Sequence, residues 1–145
     1  MRGVTNDSLR RVRALPSWLV NQAALQAQRL VGEAGVRRQP FAVLAALEES
    51  GAASQAELGR RVWMDRSDLH AVLNELEGDG LVARERDERD RRRNLVRLTS
   101  AGAERLNDLQ ARAEAAQDAL LQPLSPEERD ALLRLLTRIV EQRRG

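Results

Sequence analysis

The sequence predicts a mainly α-helical protein that carries one small β-hairpin. Apolar residues recur at helical spacing over most of the 145 residues. Residues 81–86 and 94–98 instead alternate between apolar and polar side chains, as short strands do, and an arginine-rich loop separates them. The expected order is therefore four helices, the two strands and two further helices, in a length that suits one domain.

Two helices are predicted in the N-terminal third, after a loose arm over residues 1–15 that holds a short helix around 9–15. Pro16 suits the first turn of the first helix, which carries an apolar stripe. A second helix is expected over 40–47, opened by Pro40. Glycines are expected to end these helices: Gly32, Gly35 and Gly51.

A pair of short amphipathic helices follows. Ser54 and Glu57 form a capping box, because a serine cap and a glutamate three residues later satisfy each other's backbone amides. Asp65 caps the next helix, whose apolar residues recur at positions i, i+3, i+4 and i+7. These core-facing residues are Leu69, Val72, Leu73 and Leu76. The outer face then carries Arg66, Ser67, His70, Ala71 and Asn74, with Asp68 at its edge.

Two helices are predicted after the hairpin. Thr99 caps a long helix that reaches about Leu121, and Pro123 ends it. Ser125 and Glu128 form a second capping box at the start of the last helix. This helix has a strong apolar stripe, made of Leu132, Leu135, Leu136, Ile139 and Val140. Such a stripe is poorly buried in a monomer and indicates a partner.

The charge distribution is uneven. All 24 basic residues are arginine, and the formal net charge is only +2. Residues 84–97 hold seven arginines and four acids, whereas residues 55–97 hold ten of each. Attraction to a polyanion therefore depends on where the arginines lie, and not on a general basic field.

The ordered series of motifs between residues 54 and 102 resembles the MarR family of bacterial transcription regulators. The matching elements are Ser54-Gln55-Ala56-Glu57-Leu58, Leu76-Glu77, Gly80-Leu81-Val82-Ala83-Arg84, Asp90-Arg91-Arg92, Leu98-Thr99 and Gly102. They cover about a third of the chain. A charged hairpin behind two short helices is also how a winged helix-turn-helix grips the edge of a DNA duplex.

The resemblance implies a winged helix-turn-helix core flanked by N- and C-terminal dimerisation helices. Within a single domain over 1–145, residues 38–99 would bind DNA, and 1–35 and 100–145 would form the helical dimerisation region. It implies a homodimer on a pseudo-palindromic operator of double-stranded DNA, with half-sites about one helical turn apart. A repressor is the leading hypothesis.

The resemblance places the helix over 65–77 in the major groove. Arg66 suits a bidentate contact to guanine, Asn74 suits adenine or a phosphate, and Ala71 suits a thymine methyl. Asp68 suits cytosine N4 or an ion pair with Arg66, and Glu75 is expected to pair with an internal arginine. The expected DNA contacts of the two helices are Ser54, Gln55, Arg66, Ser67, Asp68, His70, Ala71 and Asn74. The alternative is an ordinary solvated helix face.

In the hairpin, the resemblance places Arg92 in the minor groove, where an arginine reads a narrow A·T-rich groove. Asp90 is expected to brace this wing by pairing with Arg84 or Arg86. The other arginines are expected to contact DNA, chiefly its phosphates: Arg84, Arg89, Arg91 and Arg93. The alternative for each is a solvated hairpin tip.

Composition argues against an enzyme, a metal site or a cofactor. The chain has one histidine and no cysteine, which removes disulfides, thiolate ligands and a thiol-oxidation switch. His70 and Asp68 point in different directions on a helix and make a poor catalytic pair. No apolar run reaches the ~20 residues of a membrane span, and residues 1–13 lack the apolar core of a secretory signal. We therefore expect a cytoplasmic protein without a membrane partner.

Two questions stay open at this stage. Members of the family often bind small aromatic acids, and here Trp18 and Phe41 are expected to line such a cleft, with Arg37 or Arg38 pairing a carboxylate. The alternative is that these aromatics are core or dimer contacts. A winged-helix scaffold that binds protein and not DNA is the competing function, since the charge over 55–97 is balanced.

Overall fold

The computed structural model describes residues 6–142, so residues 1–5 of the predicted arm and residues 143–145 lie outside the described range. The helices are α1 (Asn6–Arg13), α2 (Pro16–Glu33), α3 (Arg38–Ser50), α4 (Gln55–Val62), α5 (Arg66–Gly78), α6 (Ser100–Leu120) and α7 (Pro126–Gln142). The strands are β1 (Ala53–Ser54), β2 (Val82–Arg86) and β3 (Asn94–Leu98). The predicted fold class is confirmed.

The sheet has one strand more than the sequence predicts. All three strands are antiparallel, in the order β1-β3-β2. In β1, Ala53 lies opposite Val96 and Ser54 lies opposite Leu95. This strand has only two residues, which is too short for the alternation that reveals a strand in a sequence.

The predicted helix ends are mostly confirmed. Both capping boxes form: the Ser54 hydroxyl accepts from the amide of Glu57 at 3.2 Å, and the Ser125 hydroxyl accepts from the amide of Glu128 at 3.2 Å. The second predicted helix, α3, begins two residues before Pro40, because proline is tolerated anywhere in a first helical turn. It ends at Gly51, which has a φ of +74°.

Residues 34–113 form one compact unit with its own apolar core. The predicted core face of α5 is confirmed, since its four apolar residues are at most 5% exposed. They pack with apolar side chains from the other elements of this unit, including Val43, Leu44, Leu47, Leu58, Val82, Val96 and Leu106. Leu106 is in α6, so the first half of that helix belongs to this core, whereas the family resemblance implies that all of residues 100–145 form part of the dimerisation region.

The second compact unit contains α1, α2 and residues 114–142. Arg129 of α7 donates a hydrogen bond to the Leu121 carbonyl and forms a 3.0 Å ion pair with Asp118. None of the described residues of α2 and α7 is fully buried. Large apolar side chains are exposed on this unit: Leu9, Val12, Leu15, Trp18, Leu19, Val20, Leu25, Leu133, Leu135, Leu136, Ile139 and Val140. In the described part of the chain, no helix is both long and apolar enough to cross a bilayer.

Gly102 allows α6 to approach the hairpin closely. The carbonyl of Leu81 accepts from the amide of Thr99, and the Thr99 hydroxyl accepts from the amide of Gly102 at 3.0 Å. A Cβ added at Gly102 would lie 2.0 Å from the Leu81 oxygen and 2.6 Å from Leu98 Cδ1. The contact partner at 2.0 Å is a backbone atom of Leu81, the residue before β2, so the backbone there would have to move.

We expect Gly102→Ala to lower the free energy of unfolding by roughly 3 kcal/mol or more, because it overpacks a backbone contact. The measurement is equilibrium denaturation in urea. Gly78→Ala is the matched control, since a Cβ there meets nothing within 4 Å, and we expect a change within about 0.5 kcal/mol. Equal effects of the two substitutions would contradict the close approach at Gly102.

Candidate nucleic-acid interface

The exposed face of α5 begins at a well-capped helix N-terminus. The Asp65 carboxylate accepts from the amide of Asp68 at 2.8 Å and from the Ser67 hydroxyl at 3.0 Å. The residues predicted to face outward are all exposed: Arg66, Ser67, Asp68, His70, Ala71 and Asn74. The side chains on this face are therefore accessible to a partner as large as a DNA duplex.

An open depression of about 1060 Å³ lies between α4, α5 and β2. Five of the predicted DNA-contacting residues line it together: Gln55, Arg66, Ser67, His70 and Arg84. Arg60 also lines it and was not predicted. The sequence does contain a signal for Arg60. It lies four residues after Ala56, which also lines the depression, and this spacing places both residues on one face of α4. Three arginines and no carboxylate residue line this depression, so its lining favours an anion.

The Ser54 hydroxyl is used within the protein. It caps α4, and the Ser54 amide in turn donates to the Glu57 carboxylate at 3.3 Å. The cap uses Ser54 Oγ only as an acceptor, so the hydroxyl proton can still be donated to a phosphate oxygen.

Arg84 turns toward α5. Side chains alternate along a strand, and Arg84 shares the face of β2 that buries Val82. Its guanidinium donates to the Asn74 amide oxygen at 2.9 Å and lies 3.5 Å from the Glu77 carboxylate. The expected pairing of Asp90 with Arg84 or Arg86 is therefore wrong. Arg84 is held by two residues of α5, and no ion pair joins Asp90 to Arg86 in the described residues.

Asp90 instead acts on the backbone of the wing loop, which we define as residues 87–93. Its carboxylate accepts from the amide of Arg92 at 3.1 Å, and the Asp87 carboxylate accepts from the amide of Arg89 at 2.9 Å. Two backbone bonds close the loop: Asp87 N to Arg93 O, and Arg93 N to Asp90 O. Short aspartate side chains thus order a turn that has no packed core.

Arg93 points back to the start of α4. Its guanidinium forms an ion pair with the Glu57 carboxylate. The Arg93 hydrogen bond, followed by that from the Ser54 amide, lowers the pKa of Glu57, and the pKa of Arg93 is raised chiefly by its hydrogen bond with Glu57. Arg89, Arg91 and Arg92 differ from Arg93. They are exposed, and their guanidinium groups have no ion-pair partner among residues 6–142.

The acidic residues near α5 have separate local roles. Glu75 pairs with Arg37, which agrees with the expected ion pair to an internal arginine. Asp68 does not pair with Arg66 in the structure. The negative charge of Asp65 raises the pKa of Asp68, whereas the hydrogen bond from the Asp68 amide lowers the pKa of Asp65. Asp65 therefore stays ionised as a cap, and Asp68 is the more easily protonated carboxylate of the two.

The residues expected to bind a small aromatic acid do not form one site within the winged unit. Arg37 lines a cavity of about 90 Å³ with Glu75, Leu44 and Arg105. Arg38 lines a different depression with Asp65 and Asp68 among its neighbours. Phe41 is half-buried against the core. Trp18 lies in the other compact unit and is 38% exposed. In the described range, no three potential metal-ligating side chains come together.

Comparison with known proteins agrees with this geometry. The model of the MarR family matches residues 34–93. The transcriptional repressor NicR of Pseudomonas putida is 32% identical over 70% of this chain, and the match spans 64% of NicR. The chain therefore covers less than two thirds of that relative.

Solved structures match over most of their length. A probable transcriptional regulator from Pseudomonas aeruginosa has a TM-score of 0.78 and 32% identity, over 87% of this chain and 97% of that one. BpsR of Bordetella bronchiseptica, whose DNA binding is regulated by 6-hydroxynicotinic acid, has a TM-score of 0.78 and 25% identity, over 88% and 94%. With the wing, the capped helix pair and the flanking helices all in place, the chain belongs to the MarR family of transcriptional regulators.

Proposed function

We propose that this chain is a transcriptional repressor that binds an operator in double-stranded DNA as a homodimer, with α5 in the major groove and the wing loop in the minor groove. The observation that carries the proposal is the wing loop itself. It presents Arg89, Arg91 and Arg92, all exposed and without an ion-pair partner in the described part of the chain. The similarity to NicR, a repressor, supports the direction of regulation.

The balanced charge of residues 55–97 is compatible with DNA binding. Several acids there serve the fold, since Asp87 and Asp90 accept backbone amides of the wing loop. Glu57 and Glu85 pair with Arg93 and Arg97. Of the exposed arginines without an ion-pair partner in the described residues, Arg60 and Arg66 line the depression beside α5, and Arg89, Arg91 and Arg92 lie in the wing loop. We expect these two groups to contact phosphates of the DNA.

Binding to DNA is tested with a fluorescent duplex from the region upstream of the gene, by anisotropy at several salt concentrations. We expect the logarithm of the binding constant to fall linearly with the logarithm of salt, with a slope of roughly minus several units. Arg92→Ala should cost about 1–3 kcal/mol of binding free energy if Arg92 enters the minor groove. Arg97→Ala is the matched control, because Arg97 pairs with Glu85 across the hairpin.

Two results contradict this proposal. One is a dimeric protein that shows no salt-dependent binding to any upstream duplex at low salt, which favours the scaffold. The other is equal loss of affinity in the Arg92 and Arg97 variants, which removes the specific role of Arg92.

The homodimer is proposed from the uncovered apolar stripe of α7. Ile139 is 61% exposed and Val140 is 51% exposed. Exposed apolar side chains in such a continuous stripe are typical of an interface between subunits. Further exposed apolar residues on α1 and α2 belong to the same compact unit, so a second copy of this unit is the natural cover. Two winged units held together in this way read an inverted repeat.

We expect Ile139→Glu to convert the protein to a monomer in sedimentation experiments, because it places a carboxylate within the stripe. Loss of the second winged unit should weaken operator binding roughly 100-fold. Arg134→Glu is the control, since Arg134 lies on the opposite side of α7 from the stripe and its variant should stay dimeric. A wild-type protein that sediments as a monomer would refute this part of the proposal.

We further infer that an aromatic acid releases the protein from DNA by displacing Glu75 from Arg37. BpsR responds to such an acid. The cavity beside Arg37 measures about 90 Å³, which is smaller than the roughly 150 Å³ that holds benzene. Entry of an aromatic acid therefore requires the cavity to widen. Separation of Arg37 from Glu75 would widen it and alter the contacts of α5.

The probe is 6-hydroxynicotinic acid at millimolar concentration. We expect it to raise the Tm of the wild-type protein by mass action and to weaken operator binding. Arg37→Ala should abolish both effects, whereas Arg38→Ala should retain them because Arg38 lines a separate depression. An equal response of the two variants would place the acid elsewhere, and no response of the wild type would exclude this acid as an effector.

A further inference from the structure

A chain of three polar side chains crosses from β2 to the exposed face of α5. Arg84 Nη2 donates to Asn74 Oδ1 at 2.9 Å, and Asn74 Nδ2 lies 3.2 Å from His70 Nε2. A guanidinium has donors and no acceptor, so the Asn74 atom that faces Arg84 must be the amide oxygen. The amide nitrogen is then turned toward His70.

This orientation determines where the imidazole proton lies. An amide nitrogen is only a donor, so His70 Nε2 must accept when the imidazole is neutral. The proton of the neutral ring is therefore on Nδ1. Nδ1 has no hydrogen-bond partner among the residues that the structure describes, and His70 lies on the exposed face of α5.

Arg84 is well placed to hold this arrangement. It sits in β2, paired in register with Val96 of β3, and its side chain is 26% exposed. The Glu77 carboxylate 3.5 Å from Arg84 Nε gives the guanidinium a second anchor on α5. Asn74 and Glu77 are three residues apart on the same face of that helix. One guanidinium thus contacts two side chains of α5 from a paired strand.

We propose that Arg84 is a positioning residue that, through Asn74, holds His70 as the Nδ1–H tautomer, so that α5 presents a fixed hydrogen-bond donor to a base edge. The base contact rests on the proposed function, but the tautomer does not. Acceptors at a base edge in the major groove are N7 and O6 of guanine, N7 of adenine and O4 of thymine, whereas cytosine presents only a donor. His70 therefore selects against cytosine at the base it contacts.

The same chain changes the expected role of Asn74. Bidentate recognition of adenine requires both the amide oxygen and the amide nitrogen. Here Arg84 takes the oxygen and His70 takes the nitrogen. Asn74 thus sets the chemistry of its neighbour, and His70 makes the contact.

The tautomer is measured first, without DNA, by nitrogen-15 NMR of the imidazole at about pH 8, where histidine is ordinarily neutral. The chain has a single histidine, so the signals need no assignment. We expect the Nδ1–H form to predominate in the wild type. A wild-type protein with mainly the Nε2–H form would overturn the proposal, whether or not the protein binds DNA.

Two variants test the relay. Arg84→Ala should return the ring to a mixture of tautomers, whereas Arg97→Ala, on the neighbouring strand, should leave the spectrum unchanged. Asn74→Asp should reverse the tautomer, because a carboxylate only accepts and so requires a proton on Nε2. An unchanged ring spectrum in both Arg84→Ala and Asn74→Asp would show that the relay does not hold the imidazole.

The base contact is tested on the footprinted operator with each position substituted singly. In the wild type, cytosine at one contacted position should weaken binding roughly 2- to 10-fold, the effect of one lost hydrogen bond. His70→Ala should abolish this preference at that position alone, and Asn74→Asp should favour a donor base there. If the protein binds the operator but His70→Ala changes no single position, the base contact is refuted. If no DNA is bound, the proposed function fails and the tautomer result stands by itself.

Discussion

The Glu57 carboxylate joins the two parts of the structure on which the interface depends. One of its oxygens accepts from the Ser54 amide at the start of α4, and the other forms the ion pair with Arg93 at the end of the wing loop. Ser54 is also the last residue of β1, which pairs with β3. A single side chain therefore links the N-cap residue of α4, the sheet and the wing loop. Without the Glu57 side chain, the tip of the hairpin would keep only the hydrogen bonds within the wing loop.

Sequence patterns predict the local parts of this structure well. The buried face of α5 is predicted correctly because its apolar residues follow the helical period, and that period does not depend on the rest of the fold. The two capping boxes involve residues three positions apart, so their pairing follows from local geometry. The exposed positions of α5 follow from the same period. These features need no knowledge of the rest of the fold.

The unpredicted features all depend on contacts between distant residues. Strand β1 exists because two residues meet β3 more than forty positions later. Arg93 and Arg92 are neighbours with similar sequence context, yet only Arg93 reaches Glu57. Arg84 contacts Asn74 and Glu77 and not Asp90 because the alternation of β2 turns it toward α5. Tertiary geometry determines which carboxylate pairs with a long arginine side chain. The acidic residues adjacent to an arginine in the sequence therefore do not identify its partner.

Two groups of arginines with different roles can therefore be distinguished in the winged unit of this chain, whose net charge is only +2. Arg37, Arg84, Arg93 and Arg97 act within the winged unit, each held by a glutamate. A planar guanidinium suits this role, since it can donate to an amide oxygen and lie beside a carboxylate at once, as Arg84 does. Arg89, Arg91 and Arg92 form no such ion pair with any of the described residues. The arginines paired with glutamates fix the wing and the face of α5, so the unpaired arginines of the wing loop are held in a defined place. For recognition of a DNA groove, this position matters more than the total charge.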